Sequence, residues 1–180
     1  RRFDSGYAEA KHAIAEAAVA EIPDDASIFL GIGTTTEAVA RALTRHRNLL
    51  VVERNADAQV IICDHTLSPH MFLTNSVTEA FTGENALLDV LRLRNEHNNS
   101  CQVTNTWISQ ERASRCQHGT VTLHGGMVRN NLHVKMNGEG ADTSALGLFL
   151  IDKIQHVDNC TVIDHAAPHC TSNQHYKGVL

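Results

Sequence analysis

Thr34, Thr35 and Thr36 follow Gly31-Ile32-Gly33 in the stretch GIGTTTEAVARAL, residues 31–43. Three hydroxyls behind two glycines, where an apolar strand hands over to a helix, are the parts of an anion site. The glycines let the backbone approach a phosphate, and the helix N-terminus offers free N–H groups and the positive end of its dipole. Gly33, Thr34, Thr35 and Thr36 are therefore candidate phosphate-binding residues. The same residues fit a capping box, with Thr34 as the cap and Glu37 reaching back to it. Spacing alone leaves both readings open, because GxGTTT is far less specific than a Walker loop.

A second possible anion contact is Gly125, Gly126 and Arg129, where an arginine fork at a strand end can pair with a phosphate or carboxylate. A glycine turn with a solvated arginine is the competing reading. Asn55, just after a valine strand, is a candidate for a sugar hydroxyl or an ordinary turn residue; Asn75 and Asn105 compete for that role. The segment CTVIDHAAPHCTSNQH gathers Cys160, His165, His169, Cys170 and His175. Its spacings fit no zinc module, and Pro168 keeps a regular helix from presenting His165 and His169 together. No metal, cofactor or catalytic residue is assigned, since no histidine singles out one of the five cysteines as a nucleophile.

The elements that would position these groups are clearest over the first fifty residues. Ala10, Ile14, Ala18 and Ile22 recur every four residues, predicting a helix from Tyr7 to Ile22 that Pro23-Asp24-Asp25 stops. SIFL (27–30) reads as a buried strand, Thr35 to Arg45 as a helix and NLLVV (48–52) as a second strand. That alternation builds a parallel sheet covered by helices. Further on, 60–64 reads as a strand, 78–94 as a helix broken or started near Gly83, and 102–109 as a strand. Residues 120–126 read as a strand ending in glycines, 141–154 as a helix and 159–164 as a final strand. The tail from His165 looks irregular. No internal repeat of fixed period is evident, and the 180 residues are expected to form a single domain.

Bulk properties exclude some partners. A net charge of −5 argues against the chain itself being a nucleic-acid or anionic-membrane surface. No apolar run reaches membrane-spanning length and the start lacks a signal-peptide core, so a cytoplasmic protein is expected. An odd number of cysteines without CxxC fits free thiols in a reducing compartment.

The stretch KHAIAEAAVAEIPDDASIFLGIGTTTEAVARALTRHRNLLVV, residues 11–52, resembles the opening of the effector-sensing domain of DeoR-type, glycerol-3-phosphate-repressor-like bacterial transcriptional regulators. TLHGGMVRNN (122–131) is similar to that family's strand ending in Gly-Gly-x-x-Arg, and NGEGAD (137–142) to a family turn. The resemblance implies an α/β, Rossmann-like fold, a mostly parallel sheet flanked by helices, related to ribose-5-phosphate isomerases and CoA transferases. It implies a phosphorylated sugar or polyol effector held by Gly33, Thr34, Thr35, Thr36, Asn55, Gly125, Gly126 and Arg129. It further implies a homo-oligomer, no membrane contact, and DNA contact only through a winged helix-turn-helix absent from this chain. Departures are Gly31 where the family usually has Asp, and Glu53-Arg54 where it usually reads Thr-Asn. The expected function is thus a sugar-phosphate-sensing repressor domain. The alternative is a sugar-phosphate isomerase using Glu139 or Asp142 as base, with Lys135 nearby.

Overall fold

From residue 50 on, burial mostly alternates every second residue, the period of strands packed on one face. The computed structural model describes residues 8–21, 48–66, 70–152 and 154–180. Among them are one helix, α1 (Ala8–Glu21), and ten strands: β1 (Asn48–Val52), β2 (Asp57–His65), β3 (Phe72–Thr82), β4 (Leu87–Asn95), β5 (Ser100–Gln110), β6 (Arg115–His124), β7 (Met127–Met136), β8 (Asp142–Leu150), β9 (His156–His165) and β10 (Thr171–Val179). The odd strands form sheet A in the order β1-β3-β5-β7-β9, and the even strands form sheet B in the order β10-β8-β6-β4-β2. Pairing is parallel from β3 to β9 in sheet A and across all of sheet B. The chain therefore winds as a β-solenoid, each coil giving one strand to each sheet. By contacts it divides into residues 1–49, with α1, and residues 50–180, with the solenoid.

The corner from an odd to an even strand repeats in each coil. Its last residue but one takes a left-handed conformation at Asn55, Asn85, Ala113, Gly140 and His169, with φ of 59°, 56°, 53°, 70° and 58°. These N–H groups reach forward to the next coil: Asn55 to the Glu84 carbonyl, Asn85 to Arg112 and Ala113 to Glu139, each at 2.9 Å, and Gly140 to Pro168 at 3.2 Å. Side chains stack as well, the Asn85 amide donating to Asn55 Oδ1 at 3.2 Å. The next position is small and turned inward: Ala86, Ser114 and Ala141 are buried.

Beside these corners the two sheets enclose an apolar core, including Leu88, Val90, Ile108, Val134, Met136 and Ala145. Farther along the strands the interior turns polar, with Thr104, Thr106, His118, Thr120 and Thr122 buried. Gly147 in β8 leaves the space that the Tyr176 ring of β10 fills, since a Cβ there would run into the ring.

The expected α/β, Rossmann-like sheet with flanking helices is thus corrected: each sheet is covered on its inner face by the other. The stretch read as a helix over 78–94 is the end of β3, a corner and β4. Leucines on both faces of LLDVLRLR (87–94) produce the accidental i, i+3, i+4 pattern. Residues 141–154 hold β8, with Thr143 and Ala145 inside and Leu148 and Leu150 outside. The tail read as irregular contains β10. A repeat does exist, with corners 30, 28, 27 and 29 residues apart; uneven spacing and drifting residue identity conceal it. The helix over 7–22 and the strands at 48–52, 60–64, 102–109 and 159–164 agree with the structure, apart from end residues. The strand at 27–30 and the helix at 35–45 lie outside the described residues.

Ala113 holds a conformation that costs an L-residue about 1 kcal/mol and that Asn tolerates. Ala113→Asn should extend the corner ladder and raise stability by about 1 kcal/mol, whereas Ala113→Val should lower it. Urea denaturation midpoints of the three proteins check this.

Candidate functional site

The polar interior is organised by residues that usually sit on surfaces. β2 turns Asp64 inward, and β4 does the same with Arg92 and Arg94, which are 5% and 0% exposed. Arg92 clamps the carboxylate with two prongs, Nε to Oδ2 at 2.7 Å and Nη2 to Oδ1 at 3.2 Å. It also donates to Ser76 Oγ of β3 at 3.3 Å. Arg94 Nε lies 3.3 Å from the same carboxylate, at ion-pair distance but not aligned for a hydrogen bond. Its other nitrogens donate to Gln102 Oε1 at 3.0 Å and to Thr104 Oγ1, both on β5. The cluster therefore ties four strands of both sheets together. Burial, with Arg92 beside it, brings the Arg94 pKa down to about 10, still charged at neutral pH.

Around this cluster several polar atoms lack partners: Arg92 Nη1, one Glu96 oxygen and His118 Nδ1. Burial, then Asp64, raises the Glu96 pKa. Burial and the two arginines push His118 down to about 4, so its imidazole is neutral at physiological pH. Arg92 and His118 share a void with Tyr176, whose hydroxyl meets Thr161 Oγ1 at 2.8 Å. At about 10 Å³ it has room for no more than one water. This void is too small for a substrate.

One outer feature is a depression of about 390 Å³ where even strands turn into odd ones, lined by His65, Glu96, His97 and His124 among others. A register break between Arg94 and Asn95 brings His124, rather than Leu123, opposite Asn95. Among the described residues, no three of His, Cys, Asp or Glu are disposed to hold a metal ion. The cysteines are dispersed. Cys63 is exposed on sheet B, and Cys101 and Cys160 are half-buried on sheet A. Cys170 lies beside a corner, donating to the Gly138 carbonyl at 3.4 Å. Cys116 is inside, its thiol pushed up to about 12 by burial and the nearby Asp89.

The candidate anion-binding residues are placed apart. Gly33, Thr34, Thr35 and Thr36 lie outside the described residues. Asn55 is the left-handed residue of a corner after β1. Gly125 and Gly126 join β6 to β7, at the opposite end of the strands; ten residues of strand make that ~30 Å. Gly126 is required there because a Cβ would strike the Asn98 carbonyl. Arg129, on β7 and close to that turn, pairs with Asp158 and donates to Asn131 Oδ1 at 2.9 Å. Glu139 is in a corner, and Asp142 opens β8 and accepts from Thr171. Sequence reading missed Asp64, Arg92, Arg94, Glu96 and His118. The signal that would have exposed the coil is the echo of ERNA (53–56), GENA (83–86), ERAS (111–114) and GEGA (138–141).

Residues 34–180 match the family model described as SUF system FeS cluster assembly, SufBD core domain. An iron-sulfur cluster assembly SufBD family protein of Mycobacterium leprae is 45% identical over 64 residues, covering 36% of this chain and 16% of the relative. Another from Synechocystis is 27% identical over 146 residues, 77% of this chain and 32% of the relative. The HTH-type transcriptional repressor CsqR of Escherichia coli is 54% identical, but over only 44 residues, 24% of this chain and 17% of the repressor. The chain thus spans a third or less of the length of these relatives. No solved structure matches. The likeness to DeoR-type repressors is real but short. The expected sugar-phosphate sensor, with its effector and its link to DNA, is corrected, because the family match over residues 34–180 is much longer than the repressor match and the solenoid is not the α/β sensor fold. No described helix is long and apolar enough to cross a membrane.

Removing the carboxylate by Asp64→Ala leaves two buried guanidinium groups short of their counter-ion and should cost about 3 kcal/mol or more, read by chemical denaturation. His118 has a folded pKa of about 4 against 6.5 unfolded. Between those values the unfolded chain binds a proton the native one refuses, so stability falls as pH drops through that window. The loss is about 3 kcal/mol. Glu96, raised in the fold, works in the opposite direction, so the comparison with His118→Gln isolates the histidine. Denaturation at pH 4 and pH 7 should show a smaller difference for the variant.

Proposed function

The chain belongs to the family of SufBD core domains of the SUF iron–sulfur cluster assembly system, and on that premise we propose that it is a scaffold segment in cluster assembly. The observation that carries this reading is the extent of the family match, residues 34–180, which spans the whole solenoid. Its stacked coils give a rigid body with two long outer faces, suited to holding other assembly proteins in fixed relation. A filled interior and dispersed cysteines favour a role in which iron and sulfide are cargo handled together with partners. Cys116, buried and held protonated, contributes packing rather than ligation.

In cells stripped of their own SufBD proteins, the protein carrying this chain should restore the activity of iron–sulfur enzymes. A Cys116→Ala version should restore it equally. Enzyme activities no higher than with an empty vector would reject the scaffold role, and selective failure of Cys116→Ala at normal protein levels would make that thiol a ligand.

A further inference from the structure

The corner between β7 and β8 opens on Asn137-Gly138, the single Asn-Gly pair in the chain. Asparagine is thermolabile, and a following glycine removes the steric shield, because no Cβ crowds its nitrogen. In water the Gly138 nitrogen attacks Asn137 Cγ. The side-chain nitrogen leaves as ammonia, taking the Gly138 N–H proton, and a cyclic imide closes. Water then opens the imide to aspartate, or to isoaspartate, whose main chain runs through Cβ and Cγ. Asn137 is exposed to that water. The fold cannot shield the pair with a larger second residue: a Cβ at Gly138 would lie 1.9 Å from the Arg112 nitrogen of the preceding coil. Coil stacking imposes the glycine, and the reactive pair comes with it.

Four hydrogen bonds hold the reacting groups still. The N–H groups of Asn137 and Gly138 both donate to the Gln110 carbonyl, at 2.9 and 3.1 Å. Asn137 Nδ2 donates to Ser109 Oγ at 2.8 Å. From the following coil the Cys170 thiol donates to the Gly138 carbonyl at 3.4 Å. Ring closure needs the Gly138 nitrogen to give up Gln110 and the side-chain amide to turn from Ser109 onto its own main chain. We infer that Asn137-Gly138 is a self-modification site kept unreactive by the folded corner, so that a chain opening there becomes covalently marked. Isoaspartate lengthens the main chain by one methylene exactly where the approach to Arg112 leaves no room. The marked chain therefore cannot rebuild the corner stack.

Peptide mapping by mass spectrometry in water labelled with heavy oxygen tests this, with the intact protein aged at neutral pH in buffer and in guanidinium chloride. The folded protein should react at this pair at least about tenfold more slowly than the denatured one, since only opened molecules react. Ser109→Ala, which releases the side-chain amide, should speed the reaction of the folded protein and leave the denatured rate unchanged. The isoaspartyl product, separated and refolded, should unfold at a lower denaturant concentration than Asn137→Asp, which carries the same charge without the extra methylene. A folded rate within that factor of the denatured one, indifference to Ser109→Ala, or an isoaspartyl protein as stable as Asn137→Asp would overturn the proposal.

Discussion

Each coil must set its corner over the corner of its neighbour, and the rest of the solenoid depends on that register. The left-handed residue is the pivot. Its N–H reaches the carbonyl of the next coil, and the small residue after it turns inward, starting the next strand in phase. Because side chains alternate with period two, a slip of one residue would turn Leu88 and Val90 to water and bring Asp89 and Leu91 inside. Gly140 meets the demand without cost, Asn55 and Asn85 meet it while adding an amide contact, and Ala113 meets it under strain.

The same phase carries Arg92 and Arg94 into the interior, where Asp64, Ser76, Gln102 and Thr104 receive them. An ion pair buried this way adds little net stability but punishes mispairing, since every neighbouring register leaves a charge without its counter-ion. The apolar half beside the corners supplies cohesion and the polar half supplies uniqueness of register. A filled interior leaves function to the outer faces, as a scaffold requires.

Part of this was legible in advance. α1 and the strands with apolar bursts announce themselves, because NLLVV and VIICD have few other uses. The strands at 87–95 and 142–150 did not: leucines on both faces of the first imitate a helix, and the second carries its leucines outside over an inner face of small residues such as Thr143 and Ala145. Only Tyr176 of β10 is even partly buried, so TSNQHYKGV (171–179) shows no alternation in burial. The buried cluster was invisible for a different reason: Asp64 and Arg92 are 28 positions apart and both read as surface residues. The corner echo is imperfect, and GEGA also resembles part of a turn in DeoR-type regulators. The likeness to DeoR-type regulators in residues 11–52 is strong but local, and the longer stretch that follows it belongs to the SufBD match.

The SufBD core family match spans the parallel coil, and the coil depends on strand register. The most direct measurement is the set of cross-strand nuclear Overhauser contacts in solution. The account predicts contacts linking Ile61, Leu91, Gly119 and Leu146 in turn, with parallel-strand pattern throughout. Sequential i, i+3 and i, i+4 contacts over residues 78–94, or antiparallel pairing between these strands, would contradict it.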